Sequence, residues 1–270
     1  MAIVAAFVVP HPPLAVAEVG LGEEKKIQAT LDAYNRVAKR IAELQPETII
    51  IASPHSVMYR NYFHISPGAK AKGSLEQFRA PQVQFCEEYD TELTQRLNRI
   101  CEEGNFPAGF EGERDAALDH GTMVPLYFIR KQYTQGKIVR MGLAGLPLQI
   151  HRQFGNYIRQ AVEETGRRAV FVASGDLSHC QKKDGPYGFA PAGPEYDARL
   201  MATLEKGDLS ELLTYPEDLL EASMECGHRA FCIMAGALEG LDYTTRVLSH
   251  EATFGVGYGI AEITVERPAE

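Results

Sequence analysis

The feature that most constrains this chain is a set of short apolar runs with a β-branched bias, at residues 2–9, 48–52 and 169–174. They are separated by stretches whose apolar residues recur at helical spacing. Runs this short suit buried strands and fall well below the roughly 20 residues of a membrane-spanning helix. Between the first two, residues 23–44 place Ile27, Leu31, Tyr34, Val37, Ile41 and Leu44 on one helical stripe that stops ahead of Pro46. Further helices are expected over residues 87–103, 121–131, 148–164 and 227–238, with two or three more within 194–220. Further strands are expected over 137–143 and around 243–248 and 256–265. The polar, aromatic stretch 59–84 reads as a long excursion or hairpin. Strands alternating with amphipathic helices predict an α/β fold: a central, mostly parallel or mixed sheet with helices on both faces. No internal repeat, low-complexity tract or linker divides the sequence, and 45% of its residues are hydrophobic. A single domain over residues 1–270 is the expectation.

The net charge is −9, and basic residues gather in nothing longer than pairs such as Lys25-Lys26 and Arg167-Arg168. That argues against a nucleic-acid partner, whose phosphates need clustered cations. The apolar N-terminal run lacks the basic flank and small-residue cleavage site of a secretion signal, so a cytoplasmic protein with no membrane partner is expected. Five cysteines, Cys86, Cys101, Cys180, Cys226 and Cys232, form no Cys-x-x-Cys pair. This argues against both a disulfide framework and a structural zinc knuckle. A homodimer is the base-rate expectation for assembly.

Each of the three apolar runs delivers a histidine just past its end: Val9-Pro10-His11-Pro12-Pro13, Ser53-Pro54-His55-Ser56 and Gly175-Asp176-Leu177-Ser178-His179. Ligands of open α/β sheets bind outside the carboxyl ends of the strands. If the three strands are parallel neighbours, their imidazoles converge. Prolines around His11 and before His55 restrict the backbone, as a pre-organised site requires. Taken singly, each is also a loop histidine with a local hydrogen bond. Two imidazoles and one carboxylate form the ligand set for non-haem Fe(II), with positions left for substrate and O2. Glu225, in Met224-Glu225-Cys226-Gly227-His228, is the candidate carboxylate. It is also what a helix start favours for its own sake. Cys226 beside it is a competing ligand, since a thiolate binds metal. Asp119-His120-Gly121 opens a helix, where His120 is placed to hold a substrate oxygen or to be a simple turn residue.

These motifs, with Leu118-Asp119-His120-Gly121-Thr122-Met123-Val124-Pro125-Leu126 and the closing Phe254-Gly255-Val256-Gly257-Tyr258-Gly259, resemble the class III extradiol ring-cleaving dioxygenases. The resemblance spans nearly the whole chain and reaches the dioxygenase-like domains associated with AMMECR1-type domains and the Memo proteins. It implies Fe(II) on His11, His55 and Glu225, with His179 as general acid–base and His120 facing the substrate. The implied activity is O2-dependent opening of a small aromatic diol next to its hydroxyls, an oxidoreductase role in aromatic catabolism. The Memo proteins carry Cys-Gly where this chain has Cys226-Gly227. That leaves a Memo-like protein, binding copper through His11, His55 and Cys226 or a partner, without ring cleavage. A metal-dependent hydrolase and a binding domain without chemistry also stay open. The discriminating feature is whether Glu225 or Cys226 faces the two histidines.

Overall fold

The computed structural model describes residues 2–112 and 117–266. In chain order its strands and α-helices are β1 (Ile3–Val9), α1 (Ala17–Gly20), α2 (Gln28–Leu44), β2 (Thr48–Ser53), β3 (Phe63–His64), β4 (Lys70–Leu75), β5 (Ala80–Glu88), α3 (Thr91–Glu103), β6 (Ala108–Gly109), α4 (His120–Gln132), β7 (Lys137–Gly142), α5 (Leu148–Glu164), β8 (Ala169–Ser174), α6 (Ala192–Lys206), α7 (Glu217–Ser223), α8 (His228–Ala237), β9 (Tyr243–Glu251) and β10 (Tyr258–Val265).

Six strands form the central sheet in the order β7-β2-β8-β1-β10-β9. β7, β2, β8 and β1 run parallel, and β10 and β9 close the sheet antiparallel. The sheet is therefore mixed, as expected. The apolar runs are continuous because helices cover both faces. Ala6, Val8, Ile50, Ala52, Phe171 and Ala173 point into one core with residues of α3, α5, α6 and α8. Ala5, Phe7, Val9, Ile49, Ile51, Val170 and Val172 point into the other, against α2 and α4. The result is a single α/β domain. Among the described residues no helix is long and apolar enough to cross a membrane.

Two of the expected helices differ in their starts from the sequence reading, and the short α1, β3 and β6 were not expected. Residues 87 and 88 were expected to be helical, but they finish β5, which pairs antiparallel with β4 from Lys70↔Glu88 onward. β5 alternates buried and exposed residues, a period-2 pattern. Asp90 then caps α3 by accepting from the Leu93 N–H at 3.2 Å. The long helix expected over residues 23–44 begins as a 3-10 turn, Glu23–Ile27, before α2.

α5 and α8 approach through two glycines. A Cβ on Gly155 would lie 2.0 Å from the Ile233 carbonyl oxygen, and one on Gly236 1.8 Å from that of Arg152. Both contacts are to backbone, which cannot rotate away. Gly155→Ala is expected to cost about 1–3 kcal/mol by overpacking. Urea unfolding should show a lower midpoint with an unchanged slope.

Candidate metal centre

β1, β8 and β2 are adjacent and parallel, with Val9 opposite Ser174 and Ala52 opposite Ala173. Their carboxyl ends therefore open on one rim. His11 follows β1 by two residues and His55 follows β2 by two. Their Nε2 atoms lie 3.0 Å apart, with the rings edge-on at 84°. His11 is buried, 2% exposed, whereas His55 sits at the open side. The His120 ring lies 3.9 Å from that of His55 and 5.5 Å from that of His11, centroid to centroid.

The third side chain brought to this pair is Cys226. Its Sγ lies 3.6 Å from His11 Nε2, and His11, His55 and Cys226 have their donor atoms within 4.8 Å of one another. The segment is docked by paired glycines: a Cβ on Gly175 would fall 2.0 Å from Gly227 Cα. Cys226 Sγ in turn accepts from the Asp176 N–H at 3.3 Å. Gly175→Ala should therefore displace Cys226 from the histidines and weaken metal binding, which calorimetric titration with Zn(II) would read.

Glu225, expected as the carboxylate ligand, is not brought to this cluster. Its Oε2 accepts from the His228 N–H at 2.6 Å and caps the start of α8. Neighbouring side chains leave the docked backbone in different directions, so Cys226 faces the histidines while Glu225 serves the helix. Desolvation of its carboxyl group raises the Glu225 pKa to about 7. His228 is buried among Tyr196, at 3.1 Å from its Nδ1, and the Leu212 carbonyl, at 2.8 Å from its Nε2. It takes no part in the cluster.

His179 lies on the loop after β8, where its Nδ1–H donates to the Met224 carbonyl at 2.6 Å. Its ring packs edge-on against Tyr187. Burial lowers the His55 pKa, and the nearby His179 adds to that. Burial first, then His55, lowers the His11 pKa to about 3. Burial, His55 and His11 lower that of His120 to about 4. The imidazoles of His11, His55 and His120 are thus neutral at pH 7, the form that binds metal. Burial, Asp176 and Glu225 push the Cys226 thiol up, so a metal must displace its proton.

The support around these side chains was not assigned from sequence. Asp176 Oδ1 accepts from the His11 N–H at 2.7 Å, and its Oδ2 lies 4.0 Å from His11 Nε2. Tyr34, buried in α2, donates to the carbonyl of Pro10. Ser53 accepts from the His55 N–H at 3.2 Å and donates to Asp119 at 2.5 Å. Asp119 accepts from the Thr122 N–H at 3.0 Å, capping α4. The sequence signal for Ser53 was its place directly after the apolar run 48–52. A cavity of about 350 Å³ lies beside the cluster, lined by His55, His120, Asp119, Arg140, Gln77 and Ser56 among others.

Metal–nitrogen bonds of ~2.0–2.1 Å and metal–sulfur bonds of ~2.3 Å place tetrahedral donors roughly 3.3–3.6 Å apart. The 3.6 Å between Cys226 and His11 falls in this range, the 3.0 Å between the two imidazoles is slightly shorter, and no two of the three donors are more than 4.8 Å apart, so small side-chain shifts bring two imidazoles and a thiolate onto one ion. The two-histidine, one-glutamate set expected for Fe(II) does not fit, because the Glu225 carboxylate is spent on α8.

Comparison with known proteins agrees with this architecture. Residues 5–261 match the family described as the catalytic LigB subunit of aromatic ring-opening dioxygenase. Protein CA_C1420 of Clostridium acetobutylicum is 40% identical over 265 residues, covering 95% of this chain. The chain spans only 56% of that relative's length. The 2-aminophenol 1,6-dioxygenase beta subunit of a Pseudomonas species is 25% identical over 96% of this chain and 93% of its own. A MEMO1 family protein of Pyrobaculum aerophilum, PAE0818, is 23% identical over 82% of this chain and 70% of its own. With the family model covering nearly its whole length, the chain belongs to the LigB family of aromatic ring-opening dioxygenase subunits.

Proposed function

We propose that this chain is a metal-binding member of the family whose centre is His11, His55 and Cys226, and that it takes copper in preference to iron, without iron-dependent ring cleavage. The observation that supports this is the Cys226 sulfur 3.6 Å from His11 Nε2, in the place expected for a carboxylate. A thiolate with two imidazoles suits copper or zinc, and copper leads the affinity order for such donors. His120 and His179 meet whatever binds at the open side, His120 as a neutral hydrogen-bonding ring and His179 through its free Nε2.

Extradiol cleavage of a small aromatic diol with O2 is the second reading. It is supported by the family and by the two histidines that flank the pair. In that reading His179 moves the substrate proton and His120 orients its oxygen. One experiment separates the two. Protein reconstituted anaerobically with Fe(II), and in parallel with Cu(I), is offered a catechol panel while O2 uptake is followed. The expected result is tight copper binding and no uptake above the buffer rate by the Fe(II) sample. Uptake coupled to a yellow ring-opened product, lost in His179→Ala, would establish the dioxygenase instead.

A further inference from the structure

His11 is linked through its other ring nitrogen to an interruption in α4. Its Nδ1 lies 3.0 Å from Ser174 Oγ, and Ser174 Oγ lies 2.5 Å from the carbonyl oxygen of Gly121. All three residues are buried. A serine hydroxyl carries one proton. The Gly121 carbonyl can only accept, so that proton goes to Gly121, and Ser174 is left to accept from His11. His11 must then be protonated on Nδ1, with the Nε2 lone pair facing His55 and Cys226.

The Gly121 carbonyl is available for a reason written in the sequence. An α-helical carbonyl ordinarily accepts from the amide four residues on. Four residues after Gly121 stands Pro125, inside α4 and without an N–H. A buried carbonyl left in this way needs another donor, and Ser174 supplies it.

We propose that Ser174 and Pro125 are positioning residues of the metal centre. Pro125 withholds the helical amide from Gly121, Ser174 gives its proton to that carbonyl, and His11 is thereby held in the Nδ1–H tautomer with Nε2 aimed at the metal position. The arrangement also ties His11 to the helix turn that carries His120, since Gly121 is the next residue. Ser53 makes the matching link on the other side, from the His55 amide to Asp119 at the start of the same helix.

The inference rests on reading His11 as a ligand, and the test separates the two claims. Metal-free protein labelled with 15N-histidine is examined by long-range 15N–1H correlation at neutral pH, with His11 assigned by its loss in His11→Gln. The same protein and its variants are then titrated with Cu(I) against a chromophoric chelator. The expected result is an Nδ1–H tautomer for His11 in the wild type. Ser174→Ala, which leaves His11 Nδ1 without its acceptor, should mix the tautomers and weaken Cu(I) binding by roughly 10–100-fold, the range for groups that orient metal ligands. Pro125→Ala, which offers Gly121 a helical amide, should shift the tautomer partly and weaken binding a few-fold while thermal unfolding still shows a folded protein. An Nε2–H tautomer in the wild type would overturn the proposal, as would variants that both keep the wild-type tautomer and affinity. The Nδ1–H tautomer in a protein that binds no Cu(I) would uphold the link to α4 and remove the metal reading alone.

Discussion

Cys226→Ser should reduce copper affinity by more than ~100-fold, beyond the effect typical of residues that merely orient a ligand, whereas Glu225→Gln should leave it within a few-fold of the wild type. The contrast follows from where adjacent side chains go. Cys226 Sγ shares the space between His11 and His55, and a serine oxygen there is a poorer donor for a soft ion. The Glu225 carboxylate accepts the His228 amide at 2.6 Å, and a glutamine oxygen accepts the same bond. Competition titration of both variants reads the contrast directly. If Glu225→Gln loses the metal and Cys226→Ser keeps it, the ligand assignment is reversed.

The second large effect concerns stability in acid. His151 is fully buried in α5, with Nδ1–H donating to the Pro147 carbonyl at 3.1 Å and Nε2 accepting from the Ala144 N–H at 3.4 Å. Both nitrogens are committed to the neutral form, and burial lowers the pKa to about 4 from an ordinary 6.5. Between those values the unfolded chain binds a proton that the folded chain does not, so stability falls as the pH drops from 6.5 to 4 and is flat above 6.5 for this group. The loss is roughly 3 kcal/mol across that window. His151→Leu, which cannot charge, should remove this group's share of the acid dependence and leave that of His11 and His120. At pH 7.5 it should cost about 1–3 kcal/mol for the amide and carbonyl left without partners. Urea unfolding at a series of pH values measures both. A variant whose acid limb is as steep as the wild type's would assign the whole limb to other groups.

Much of the site was legible because it lies at strand ends. The runs that became β1, β2 and β8 were readable as buried strands, and a parallel order among them forces His11 and His55 together. Asp119 was readable as the cap of a helix, and His120, expected in the turn before it, is the first residue of α4. The choice between Glu225 and Cys226 was not legible. It depends on the contact between Gly175 and Gly227, both far along the chain from the first histidine, and on a helix start that takes the carboxylate for itself. Nor were Ser53, Ser174 and Asp176 assigned. Their roles arise only when two strands and α4 meet. The boundary between β5 and α3 was misplaced because residues 87–88 carry charges that suit either element, and the pairing of Lys70 with Glu88 across the hairpin decided it.

The central claim, that sulfur and not carboxylate completes the histidine pair, is tested most directly by X-ray absorption at the copper edge on Cu(I)-loaded protein. The account predicts one sulfur at about 2.2–2.3 Å together with two imidazole nitrogens, the sulfur lost in Cys226→Ser. A spectrum with nitrogen and oxygen neighbours alone, unchanged in that variant, would contradict it.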